Sequence, residues 1–68
     1  MSYDSDSLGR AQELFDEGVS DIEKGFYGSG RSKLEEARQI YISCKGTHPV
    51  QANAGLAKTN QKLSQIQA

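Results

Sequence analysis

Two glycine-bearing breaks, at Lys24-Gly25 and at Lys45-Gly46-Thr47-His48-Pro49, divide this chain into three stretches in which apolar residues return every three or four positions. Spacing of that kind marks helices with one buried face, and no stretch alternates in the manner of a half-buried strand. The first pattern runs from about Ser7 to Lys24 through Leu8, Ala11, Leu14, Phe15, Gly18, Val19 and Ile22. Asp4, Asp6 and several serines crowd its start, where side-chain oxygens cap free amides and negative charge suits the helix dipole. Gly25 stands where a left-handed closing residue is expected, after which Phe26 or Tyr27 can fold back onto the apolar face.

The second pattern runs from Ser29 or Gly30 to Cys44, with Leu34, Ala37, Ile40, Tyr41 and Cys44 as its stripe. Ser32-Lys33-Leu34-Glu35 has the spacing of a capping box, and a start at Ser29 fits as well. Lys45-Gly46 closes it. Thr47 is the expected cap of a third helix, with Pro49 in its first turn. That helix continues through Ala52, Leu56, Ala57, Leu63 and Ile66, and it is rich in Gln, Asn and Lys. Gly55 inside it costs about 1 kcal/mol relative to alanine, unless another backbone must come close there. The expectation is an all-α, three-helix antiparallel array, with residues 1–6 as a flexible acidic tail and residues 7–68 as a single domain.

A chain of 68 residues buries a modest share of its surface, so such small folds lean on disulfides, metals, self-association or regular helix packing. Cys44 is the only cysteine and cannot pair within the chain, and a lone thiol fits a reducing compartment. No apolar run approaches the roughly 20 residues that span a bilayer. The opening MSYDSDS is acidic, the reverse of a secretory signal. A soluble cytoplasmic protein with no membrane span is the expectation.

Charge is unevenly distributed. Residues 1–23 hold seven acids and one base, a balance of −6, and residues 24–68 hold seven bases and two acids, a balance of +5. An acidic first helix beside a basic second one accounts for this within one chain. Head-to-tail attraction between copies, or an acidic patch for a basic partner, accounts for it between chains. Nucleic-acid binding calls for a dense basic stripe or aromatic platforms, and the sequence has neither.

Leu14, Gly18, Ile22, Gly25, Tyr27, Gly30, Leu34 and Ala37 follow one another at the intervals of a tetratricopeptide repeat. Residues 11 to 44 resemble one such helix-turn-helix unit, with residues 49 to 67 as a capping or partial next helix. Glycine at 30, where the family usually has alanine, is a departure. His48-Pro49 arrives late for the next repeat, although longer variants of the repeat carry His-Pro there. The resemblance implies a non-catalytic adaptor or assembly factor that binds another protein through a helical or extended peptide segment. It also implies that first-helix residues face the ligand, which singles out Gln12, Glu13, Asp16, Val19, Ser20 and Glu23. Because about three repeats are normally needed to close such a stack, one repeat with a lid implies self-association or docking on a larger protein. A second resemblance, to small three-helix domains that bind helical tails of membrane-remodelling proteins, fits the glycine turn less well. A secretion-type chaperone or regulator capping a partner helix is an alternative use of the same architecture.

Gly25 to Ser32 imitates a phosphate-binding loop, with Arg31 in place of lysine. Such a loop must leave a strand and enter a helix, and its magnesium ligands come from a second strand. Here a helix precedes it, so the turn reading prevails. What remains of the anion reading is a non-catalytic site at residues 28–33, built from Lys24, Ser29, Arg31 and Lys33 at a helix N-terminus. Asp6-Ser7-Leu8 echoes the attachment site of acyl carrier proteins but lies near the chain's start rather than some three dozen residues in. Cys44 and His48 are two ligands where a structural zinc site needs four, and Cys44 reads as a small buried hydrophobe. With His48 as the sole histidine, no catalytic triad is expected, and neither is a cofactor.

Overall fold

The computed structural model describes residues 3–67 of the chain, and side chains from 6 to 66. It contains α1 (Tyr3–Glu23), α2 (Tyr27–Ser43) and α3 (Pro49–Gln67), and among the described residues there is no strand. The helices pack antiparallel in sequence. α2 lies in the middle with extensive contact to both neighbours, whereas α1 and α3 scarcely touch. The array is flat, 37 × 21 × 12 Å. Among the described residues no helix is long and apolar enough to cross a membrane.

Ala11, Leu14, Leu34, Ala37, Tyr41, Cys44, Ala52 and Leu63 form the buried core, with Leu8, Phe15, Ile40 and Leu56 packed against it. The spacing had marked all twelve. Cys44, only 1% exposed, behaves as the small hydrophobe expected of it. Small residues set how closely the helices approach. A Cβ on Gly30 would stand 2.6 Å from Ile22 Cγ1 and 2.7 Å from the Gly18 carbonyl oxygen. This gives a physical reason for glycine at 30: alanine does not fit this α1/α2 contact.

α1 begins at Tyr3, four residues before the expected start at Ser7, so residues 3–6 of the expected tail are helical; residues 1 and 2 lie outside the described residues. Asp4 and Asp6 thereby fall in the first turn, where acids suit the dipole. At the other end the closure is as expected. Gly25 has φ +92°, its N–H donates to the Ile22 carbonyl at 3.0 Å, and the Phe26 N–H donates to the Asp21 carbonyl at 2.8 Å. These two bonds make a Schellman turn.

The same turn corrects three expectations. It aims the chain so that the Phe26 carbonyl accepts from the Gly30 N–H at 2.9 Å, which starts α2 at Tyr27 rather than at Ser29 or Gly30. The capping box is therefore unused: Ser32 lies inside the helix, and Phe26 at the cap position makes no side-chain cap bond. Phe26 and Tyr27 do not fold back onto the apolar face; they stand 60% and 59% exposed at the tip of the hairpin.

In the third helix, the Thr47 hydroxyl donates back to the Cys44 carbonyl at 3.4 Å instead of capping α3. Ala57 is exposed, and the buried position in its place is Thr59. Burial at 52, 55, 59 and 63 holds the three-four spacing, and Thr59 satisfies its hydroxyl by donating to the Gly55 carbonyl at 2.7 Å. Gly55 is close-packed as anticipated, but against the Tyr41 ring and not against a backbone.

Candidate functional site: a groove between the first and third helices

Because α2 separates α1 from α3, a groove is left above it. Two shallow hollows lie along this groove, of about 320 Å³ and 290 Å³. The first is lined by Leu8 and Gln12 from α1, Gln51, Ala54 and Gly55 from α3, and Tyr41 from α2 as the floor. The second is lined by Phe15 and Val19 from α1 and by Gln61, Lys62 and Gln65 from α3.

Lys58 belongs to both hollows and divides them. Its Nζ donates to Gln12 Oε1 at 2.5 Å across the groove and sits 4.6 Å from the centroid of the Phe15 ring. Gln12 in turn donates through Nε2 to Asp16 Oδ1 at 3.0 Å. A polar chain, Lys58 to Gln12 to Asp16, thus ties α3 to the rim of α1 over an apolar floor. Burial holds the Tyr41 phenol above its ordinary range, and the nearby Asp16 charge adds to this, so the floor is uncharged at neutral pH.

Of the residues expected to face a ligand, Gln12 and Val19 line the groove, and Asp16 is joined to it through Gln12. Glu23, four residues after Val19, shares its side of the helix. Glu13 lines neither hollow: the Arg10 guanidinium lies 3.6 Å from it and 3.9 Å from Glu36 of α2. Ser20 is half-buried and lines neither hollow.

The contribution of α3 was missed. Gln51, Ala54, Lys58, Gln61 and Gln65 recur at intervals of three, four, three and four, a stripe visible in the sequence. It is mostly polar, so apolar periodicity does not register it.

Two residues of the anion reading, Lys33 and Ser29, converge on an acid of their own chain. Lys33 Nζ lies 2.8 Å from Asp21 and 3.8 Å from Glu17, and the Ser29 hydroxyl donates to Asp21 at 2.8 Å. Arg31 pairs with Glu35 at 3.4 Å, and Lys24 is exposed just beyond α1. The Lys33 and Ser29 hydrogen bonds hold the Asp21 carboxyl below its ordinary range, and Asp21 raises Lys33 in return. An incoming anion would have to displace Asp21 to use this cluster. His48 Nδ1 contacts the Thr47 hydroxyl at 3.3 Å while Cys44 is buried, and among the described residues no three His, Cys, Asp or Glu side chains are grouped to hold a metal ion.

Comparison with protein-family models, with curated proteins and with solved structures gives no match.

Proposed function

We propose that this chain is a small non-catalytic protein–protein interaction module, a tetratricopeptide-like hairpin with a capping third helix that offers its α1/α3 groove to a segment of a protein. The groove itself carries the reading. Its floor is apolar, its rims bear the amides of Gln12, Gln51, Gln61 and Gln65, and it runs along the helices instead of closing into a pocket. Amides on a rim can donate to and accept from a peptide backbone, while Leu8, Phe15 and Val19 offer apolar contact to its side chains. Two shallow hollows in line suit successive side chains of one segment better than one enclosed small molecule.

A photo-crosslinking residue placed at Val19 or Gln61, in extract from the source cells, should capture a defined protein that the same residue at Glu36 or Arg31 does not. Phe15→Asp in the crosslinking chain should abolish that capture. Equal capture from both faces, or none from the groove, would overturn the reading.

A further inference from the structure

We infer that the α1/α3 groove face docks a second copy of this chain, groove to groove, with the two-fold axis parallel to the helices. The inference rests on the reading of the groove as a binding surface, and it names the occupant. The walls of the groove carry opposite charge. On the α1 side Asp16 and Glu23 are acidic, and the one base of α1, Arg10, is turned to Glu13 and Glu36. On the α3 side Lys62 is basic and Pro49–Gln67 contains no acid at all, while the Lys58 ammonium reaches over to Gln12 and Phe15 of α1.

Among the described residues no ion pair matches these charges within the chain. All the ion pairs among the described residues involve Arg10, Glu13, Glu17, Asp21, Arg31, Lys33, Glu35 and Glu36, none of which lines the groove. Lys58 reaches across to an amide oxygen, not to a carboxylate. The groove therefore presents an acidic wall on α1 and a basic one on α3 at Lys62, with the Lys58 ammonium between them.

Symmetry converts that into a geometry. Two identical faces pressed together share a two-fold axis lying in the contact plane. An axis across the helices would lay α1 on α1 and α3 on α3, acid on acid and base on base. An axis along the helices lays α1 of each copy on α3 of the other at the same height. Phe15 and Val19 share one hollow with Lys58 and Lys62, so Asp16, between them, is level with these lysines. Asp16 of each copy then meets Lys62 of the other, twice per dimer, while Leu8, Phe15 and Val19 supply the apolar contact. Charge sets the orientation and the apolar contact supplies most of the affinity.

Sedimentation equilibrium of the full chain, from micromolar to millimolar concentration at low and high salt, tests this with Asp16→Lys and Lys62→Asp. The wild type should show a monomer–dimer equilibrium that weakens with salt. Each variant alone should dimerise more than about tenfold less well, since like charges then face each other twice. An equimolar mixture of the two variants should dimerise again, because both contacts in the mixed pair are opposite in sign, and that recovery also shows both variants to be folded. A wild type monomeric throughout, single variants that dimerise like the wild type, or a mixture that stays monomeric would each overturn the inference. None of these touches the groove reading, which falls only if crosslinking from Val19 and Gln61 captures nothing distinct.

Discussion

The Tyr41 ring lies so close to the backbone of Gly55 that a Cβ there would overlap Cε1, Cζ and Cδ1 of the ring. A glycine inside a helix normally costs about 1 kcal/mol relative to alanine. At 55 the sign should reverse, because Tyr41 is 3% exposed and has little room to yield. Gly55→Ala is expected to destabilise the chain by about 1–2 kcal/mol, since overpacking of about 1–3 kcal/mol outweighs the propensity gain. Thermal unfolding should show a Tm lower by roughly 5–15 °C. In combination with Tyr41→Leu the two losses should fall short of additive, because the second removes the atoms with which the first collides. An unchanged or higher Tm for Gly55→Ala would contradict this contact.

Glycines 9 and 30 should respond to alanine in opposite directions. At Gly9, inside α1 and exposed, an added Cβ meets nothing within 4 Å. Gly9→Ala is expected to stabilise by about 0.5–1 kcal/mol. Gly30→Ala forces the new methyl against Ile22 and the Gly18 carbonyl and should cost about 1–3 kcal/mol. Urea unfolding of the two variants at one temperature measures both, and a shared sign would show that α1 and α2 do not approach as described.

The Asp21–Lys33 pair contributes to both ends of the pH–stability profile. Hydrogen bonds from Lys33 and then Ser29 lower the Asp21 carboxyl from 3.8, so below that value the unfolded chain takes up protons first. Its contribution is complete above about pH 5 and disappears as the pH falls through the folded-state value. Lys33 is raised from 10.5, chiefly by its hydrogen bond to Asp21, and Tyr41 is raised from 10.0, chiefly by burial. Both make the folded chain hold its proton longer, so stability declines as the pH climbs past about 10. Tm measured against pH should show a plateau between these limits. Asp21→Asn should flatten the acid limb and leave Tyr41 to govern the alkaline one; an acid limb unaltered by that change would assign it to other carboxylates.

How far the sequence disclosed this architecture can be traced through single residues. Leu14, Leu34, Ala37 and Tyr41 were legible as core because a helix repeats its buried face every three or four residues, whatever surrounds it. Gly25 was legible because only a left-handed residue closes a helix that way. Thr59 was not, since a hydroxyl that bonds its own helix can be buried at little cost, and apolar spacing does not register it. Nor was the role of Lys58: its partners Gln12 and Phe15 lie more than forty residues away, and only the interposed α2 sets the distance at which one lysine spans the gap. The groove is a product of helix arrangement, which local patterns do not encode.

Lys58 itself gives the remaining prediction. It combines a hydrogen bond to Gln12 with a cation over Phe15 and an aliphatic stem along the groove. An exposed cation–π contact is worth about 0.5–1 kcal/mol, and a hydrogen bond open to water adds little. Lys58→Ala should therefore lower stability by only about 1 kcal/mol, and Lys58→Met, which keeps an apolar stem, by less. The structural effect should be larger than the energetic one, because Lys58→Ala joins the two hollows into a single trough. In NMR spectra the Phe15 ring protons should shift in both variants, since both remove the charge above the ring. The Gln12 side-chain amide should move as well, while resonances of the Gly18–Gly30 contact stay in place. If Phe15 does not respond, Lys58 does not bridge the groove, and the two hollows are one in the native chain.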